Sequence, residues 1–360
     1  MTTDKKRGQV QTVLGLIPAG ELGITLPHEH LLIDQTLGGV YFIEPERLSD
    51  RALAHQPVTL ENLSWVRYHT KDNLDNQILM DVDTAIKEAM LFKLEGGRSI
   101  VDQTNRGLGR DPLALARISR ATGLNIVMGC GYYADSPLTH DRVNAMSEQS
   151  IADEIAQEFA CGTGDTGIRP GIIGELGCSW PLKPNELKGL RGGALAQKST
   201  GAGINVHPGR NDRAPLEILE VLSAAGADLS RVVMSHMDRC GYSLATRLEL
   251  LKAGCFIEYD LFGFEGYYPA RVAIAEGALP DMPNDLGRVK EIVDVISRGY
   301  VEQLLLSHDV GMKVRLVCYG GGGYAHLLRQ VVPLMRLYGI SEEHIETMMV
   351  ANPRRLLAFK

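Results

Sequence analysis

Gly23-Ile24-Thr25-Leu26-Pro27-His28-Glu29-His30 is a short apolar run closed by polar residues, and seven more runs of the same shape follow it along the 360-residue chain. They are Ser99–Gln103, Asn125–Gly129, Gly171–Gly177, Gly203–His207, Arg231–His236, Cys255–Asp260 and Gln303–Asp309. Runs of this length and β-branched content read as strands. The intervals between them, such as Asp83–Leu94, Asp111–Thr122, Ser150–Phe159, Pro215–Ala225 and Leu286–Arg298, place apolar residues three or four apart, the period of an amphipathic helix. Several of these stretches stop at glycine, as at Gly96-Gly97 and Gly123.

Eight strand–helix repeats predict an α/β fold of the (β/α)8 TIM-barrel type, one domain over residues 1–360, with its chemistry at the C-terminal ends of the strands. A doubly wound parallel sheet is the rival, since both folds begin with βαβ units, but no G-x-G-x-x-G turn opens a helix after an early strand. Residues 34–80 and 310–326 break the rhythm and are expected at the catalytic mouth as walls or a lid.

The formal net charge of −7 is spread along the chain without a basic run, which argues against nucleic acid as a partner. Charged residues interrupt every apolar stretch before it reaches the roughly 18 residues that span a bilayer, so no membrane association is expected. Lys5-Lys6-Arg7 is followed by Gly8-Gln9-Val10-Gln11 rather than by the apolar segment of a secretory peptide. Cys130, Cys161, Cys178, Cys240, Cys255 and Cys318 are scattered, with no close pair of the zinc-ribbon or redox kind, which fits a reducing cytoplasmic setting.

The first run ends His28-Glu29-His30. Strand side chains alternate faces, so both histidines share one face and Glu29 takes the other. Alone this is a weak signal. It gains weight because Glu175, His207, His236 and Asp309 fall at the ends of the fourth, fifth, sixth and eighth runs, on the one rim where a barrel works. Four neutral imidazoles and two carboxylates can hold two divalent metal ions and leave positions for water; zinc comes first, and manganese, cobalt or iron suit the same donors.

Together with Gln11-Thr12-Val13-Leu14-Gly15, Leu26-Pro27-His28-Glu29-His30, Gly171–Trp180, His207-Pro208-Gly209-Arg210, Met234-Ser235-His236 and Asn352-Pro353, these residues make the chain resemble the phosphotriesterase-like family of the amidohydrolase superfamily. The likeness looks strongest to the phosphotriesterase-related (resiniferatoxin-binding) proteins. The resemblance implies that His28, His30 and Asp309 hold the more buried ion, and His207 and His236 the more exposed one. Glu175 stands where the phosphotriesterases proper carry a carboxylated lysine bridging the ions, and a glutamate can bridge with its two oxygens. The same resemblance makes Tyr133 a pocket residue, as a matching tyrosine is in the family's lactonases, and allows a homodimer.

The chemistry expected is hydrolysis of a small-molecule substrate by a metal-activated hydroxide, with Asp309 as the catalytic proton acceptor. His308 should face away from Asp309 and is left out of the ligand set. Arg210 and Arg213 follow His207, and Lys313 and Arg315 follow Asp309, so these four are candidates for gripping an anionic tail. A carboxylic amide or lactone is the preferred substrate, a phosphoester or phosphotriester the second reading, and non-catalytic ligand binding the third. Gly320–Gly323 lacks the Gly-Lys-Ser/Thr of a P-loop and reads as a loop that can move or approach the site.

Overall fold

The computed structural model describes residues 6–37, 42, 44–136, 139–239, 242–266 and 281–360. Cys240 and part of the 34–80 segment lie outside the described residues. Eight parallel strands follow one another in chain order: β1 (Thr25–Glu29), β2 (Ser99–Asp102), β3 (Asn125–Cys130), β4 (Ile172–Gly177), β5 (Ile204–His207), β6 (Val232–Met234), β7 (Phe256–Tyr259) and β8 (Leu304–Leu306). Each falls inside or beside a run read as a strand. A hairpin of Gln9–Thr12 with Gly15–Pro18 precedes them.

The barrel is nearly closed, and its seam is made differently from its other joints. Between β8 and β1 one backbone bond runs from Asp309 N to His28 O at 3.1 Å, and side chains supply the rest. The buried Glu29 carboxylate accepts from Ser307 Oγ (2.8 Å), His308 N (2.9 Å), His308 Nδ1 (2.7 Å) and Val310 N (3.0 Å). Ser307 Oγ also lies 2.8 Å from His28 O. Glu29 thus takes the face opposite the histidines, as alternation requires, and His308 is occupied with it. The Nε2 of His308 accepts from Leu327 N at 3.0 Å, so neither ring nitrogen is directed at the candidate ligands.

Helices cover the outside, and their ends explain why they begin where they do. Asp81, Asp111, Ser147 and Asn284 each accept a hydrogen bond from the first turn that follows, satisfying donors that a helix start leaves open. The expected helices are present as Val82–Leu94, Pro112–Thr122, Glu148–Cys161, Ala214–Ala224 and Asp285–Ser297. Pro184–Thr200 is a further helix whose Gly192 and Gly193 blur its apolar period. Both glycines are needed for close packing: a Cβ would lie 2.6 Å from Ile151 Cγ2 at Gly192 and 2.7 Å from Leu176 Cδ1 at Gly193.

Strand alternation divides the core. Ile100, Ile126, Ile204, Val206, Met234, Ile257 and Leu306 lie in the cluster shared with the helices, while Val101, Val127, Ile172, Val233, Phe256 and Leu305 form a separate cluster filling the lumen. The 34–80 and 310–326 segments meet over the opposite, open end. Lys313 Nζ pairs with Asp75 Oδ1 at 2.5 Å, Val314 N donates to Asn76 Oδ1 at 3.0 Å, and Gln35 Nε2 donates to Gly311 O at 2.9 Å. The first segment also contains the helices Leu48–Ala54 and Leu63–Tyr68. No helix among the described residues is long and apolar enough to cross a membrane.

Candidate metal centre and active site

Above the apolar plug, the residues two places beyond Val233, Phe256 and Leu305 are polar, and Asn205 joins them. Asn205, Ser235, Glu258 and Ser307 are all buried. Ser235 Oγ lies 2.7 Å from Asn205 Oδ1 and 3.0 Å from Glu258 Oε2, and Asn205 Nδ2 donates to Glu258 Oε2 at 3.1 Å. The next layer holds the candidate ligands. Local irregularity accompanies them: β1 shifts register between Leu26 and Glu29, and β4 between Ile173 and Leu176. His236 and Asp309, read from sequence as the last residues of strands, instead follow strands that stop at Met234 and Leu306, and their φ values are 58° and 51°. A left-handed turn at each re-aims the side chain.

The structure brings all six sequence-predicted ligands together around Glu175. Its Oε2 is 3.2 Å from His28 Nε2, 3.1 Å from His207 Nδ1 and 3.0 Å from His236 Nε2. His30 Nε2 lies 3.2 Å from Asp309 Oδ1, and His28 Nε2 lies 3.9 Å from the same oxygen. Two groups with metal-holding spacing therefore share Glu175: His28, His30 and Glu175, then Glu175, His207 and His236. Because Asp309 sits against His30, it extends the first group.

The donor set fits divalent ions. His28 Nε2 is fully buried and makes no hydrogen bond. The Nδ1 atoms of three histidines are turned to oxygens: His28 to Glu258 Oε2 (3.2 Å) and Ser235 Oγ (3.1 Å), His30 to Thr104 Oγ1 (2.8 Å), and His236 to Asp260 Oδ1 (2.8 Å). A donor bond at Nδ1 leaves the Nε2 lone pair facing inward, which is the tautomer a metal requires. The site also demands positive charge. Burial opposes charging His28, yet Glu175, Asp260 and Glu258 outweigh it and hold the pKa well above the ordinary histidine value. Burial likewise opposes charge on His236, but Asp260 and Glu175 raise it to about 9. His207 goes the other way: burial, helped by His236 and Arg239, outweighs Glu175 and lowers it to about 3, which keeps this imidazole neutral.

Asp260 and Glu258 were not among the residues singled out in the sequence, although they stand two apart, Glu258 on β7 and Asp260 directly after it. Asp260 also accepts from His236 N at 3.0 Å and lies 3.3 Å from His28 Nδ1. Arg239 was missed as well. The spacing that drew attention to Arg210, three residues after His207, recurs from His236 to Arg239. Arg239 Nη1 lies 3.1 Å from His207 Nε2. Lys71, inside the 34–80 segment, gave no sequence signal.

The pocket over the candidate ligands is lined by Tyr133, Arg210, Arg239, Lys71 and Arg315 among polar groups, and by Ile33, Leu108, Leu261, Phe264 and Met312 among apolar ones. Tyr133 Oη lies 3.2 Å from His207 Nδ1, while Tyr132 Oη donates to Glu154 Oε1 at 3.0 Å on another face. Arg210 is buried at the pocket. Arg315 reaches it too, but its Nη2 donates to Phe262 O (2.9 Å) and His308 O (2.8 Å), which fits a framing role. The expectation for Arg213 and Lys313 needs correction: Arg213 is exposed just before the helix Ala214–Ala224, and Lys313 is committed to Asp75, so neither lines the pocket.

Known proteins are similar to this chain over almost its whole length. The phosphotriesterase family model matches residues 8–357. An N-acetyltaurine hydrolase of Dictyostelium discoideum is 41% identical over 371 residues, covering 97% of this chain and 98% of that protein. A phosphotriesterase-related protein of Nematostella vectensis is 42% identical over 357 residues, covering 98% and 99%. The crystal structure of a resiniferatoxin-binding protein from Rhodobacter sphaeroides superposes with a TM-score of 0.90 at 38% identity, covering 97% of this chain and 95% of that one. A match running almost from end to end, joined to a barrel whose mouth gathers four histidines, a glutamate and an aspartate, places the chain in the phosphotriesterase family.

Proposed function

We propose that this chain hydrolyses a small carboxylic amide with an anionic tail, of the N-acyl amino-sulfonate type, using two divalent ions. Zinc is the first choice of metal, and His28, His30, Asp309, His207, His236 and Glu175 are the residues that would hold the ions. The observation that carries this reading is the convergence of three imidazole nitrogens on Glu175 Oε2 at 3.0–3.2 Å. Relatives named N-acetyltaurine hydrolases, about two-fifths identical over their full length, support the amide over the phosphoester.

Two bound ions supply a lowered pKa for water and polarisation of the acyl oxygen. The chain's own residues do the rest. Asp309, whose side chain is 26% exposed while its histidine neighbours are buried, is the group open to the pocket that can take a proton and pass it to the departing amine. Asp260 and Glu258 hold the His236 and His28 rings in one tautomer. The apolar wall of Leu108, Leu261 and Phe264 excludes water from the acyl group. In this scheme Tyr133, beside His207, borders the acyl oxygen.

Metal analysis of reconstituted protein, with assays on N-acetyltaurine, a lactone and a phosphotriester, tests the reading. About two ions per chain and turnover of the amide are expected, and His207→Ala should lose an ion and most of the activity. Fewer than two ions, or turnover of the phosphotriester alone, would overturn it.

A further inference from the structure

Strands β6 and β7 stop at Met234 and Tyr259, yet the segments that follow them stay joined. Met237 N donates to Glu258 O at 2.9 Å, and beyond that bond carboxylates take the part of carbonyls. Asp260 Oδ2 accepts from His236 N at 3.0 Å. In return, Asp238 accepts from Asp260 N at Oδ1 (3.2 Å) and from Leu261 N at Oδ2 (3.0 Å). Each segment supplies an aspartate to the other's backbone, and the clasp encloses His236. That residue is held in its left-handed turn with Nδ1 2.8 Å from Asp260 Oδ1 and Nε2 directed at Glu175 and His207.

Asp238 is fully buried, and a charged carboxylate taken out of water needs a cation beside it. Arg288 supplies one from the helix Asp285–Ser297 on the outside of the barrel. Its side chain is equally buried, and its Nε donates to Asp238 Oδ2 at 2.6 Å. Nη1 donates to Phe264 O at 3.2 Å and to Asp285 Oδ1 at 3.1 Å, and that oxygen also accepts from Gly263 N at 2.8 Å. One guanidinium therefore fixes the segment after β6 through Asp238 and the segment after β7 at Gly263 and Phe264. Holding a helix on a barrel does not require this, because apolar side chains in place of a buried ion pair are often neutral or stabilising. What an apolar residue cannot do is hold Asp238 in place behind His236.

We infer that Arg288 is a positioning residue for His236: by fixing Asp238 within the clasp, it sets the direction from which the imidazole meets a metal ion. This rests on reading Glu175, His207 and His236 as ligands of one ion.

The test compares Arg288→Met and Arg288→Lys with Arg110→Met, which breaks another pair of buried side chains, Arg110 with Glu158 at 2.8 Å, beside β3. Chelator competition on zinc-reconstituted protein reads the two ions separately, and the relevant one is the ion lost in His207→Ala. Arg288→Met should weaken that ion about 10- to 100-fold and leave the other within about three-fold. Arg288→Lys should regain most of the affinity, since it keeps a cation at Asp238. The visible spectrum of cobalt-loaded protein should shift in Arg288→Met and keep its wild-type form in Arg110→Met. Unchanged affinities and an unmoved cobalt spectrum in Arg288→Met overturn the inference, as does an equal loss of the same ion in Arg110→Met. If Arg288→Met does not fold, Asp238→Asn takes its place with the same weakening expected, because an amide removes both the buried charge and its need for a cation. If the wild type binds no ions, the metal reading falls, and the Nδ1 proton resonance of His236, held by Asp260, still decides the inference. Its loss from Arg288→Met supports the positioning role, and its persistence unchanged overturns it.

Discussion

Replacing Glu29 by glutamine should loosen the barrel at its seam. The wild-type carboxylate receives three donors at Oε1 and Val310 N at Oε2. A glutamine keeps its oxygen where three donors converge and must then turn its NH2 toward Val310 N, donor against donor. One bond to a charged acceptor is lost, at about 1.5–3 kcal/mol, and buried N–H groups are left without an acceptor, at about 1–3 kcal/mol more. The variant should therefore lose about 3–5 kcal/mol, a large share of a typical domain's stability. Urea titration followed by circular dichroism reads this as a lower midpoint at similar slope. His28, His30 and Asp309 flank the seam, so metal retention should fall alongside. A loss under about 1 kcal/mol with full metal content would mean that the helices, and not Glu29, hold β8 against β1.

Asp260→Asn keeps shape but removes the charge behind His236, and should weaken metal binding or activity about 10- to 100-fold, read by competition with a chelator; unchanged affinity would remove Asp260 from the site. Asp285 is held well below the ordinary carboxyl range: burial raises it, but His326, Gly263 N and Arg288 outweigh that. A depressed folded pKa means its contribution is present above about pH 4 and lost as pH falls further, so Asp285→Asn should flatten the acid limb of stability measured by urea between pH 3 and 7. Burial raises the thiol pKa values of Cys130, Cys178 and Cys255, so alkylation at pH 8 should spare them until the protein unfolds while the exposed Cys161 reacts; Cys318 is exposed too, but partial burial and Glu88 push its thiol up to about 11, so it should react more slowly than Cys161. Arg213→Ala should leave kcat/KM for the anionic amide within about two-fold, since its side chain is in solvent.

The barrel was legible because each buried strand announces itself by composition and each helix by period. The six candidate ligands were legible because strand ends in a barrel share a rim. Alternation reached His28 and His30, and position at a strand end reached His207 directly. It reached His236 and Asp309 only by extending strands that in fact end earlier, since left-handed turns do not show in an apolar pattern. Asp260 and Glu258 went unremarked because an acidic pair on a strand has meaning only once the histidines it faces are known. Lys71 was invisible for a different reason: the 34–80 segment has no period from which to infer where a side chain ends up. Arg213 misled because proximity in sequence to His207 says nothing about direction once a helix begins at Ala214.

The two left-handed residues carry a consequence for anyone evolving this protein toward heat resistance. A non-glycine residue in that conformation costs roughly 1–2 kcal/mol, and His236 and Asp309 are the only described residues other than glycine that adopt it. A screen that rewards survival alone is drawn toward Asp309→Gly or Asp309→Asn, which relieve the backbone and discard a charge set among buried histidines. Libraries built from this scaffold therefore drift toward durable, inert barrels unless selection for turnover is applied in the same round.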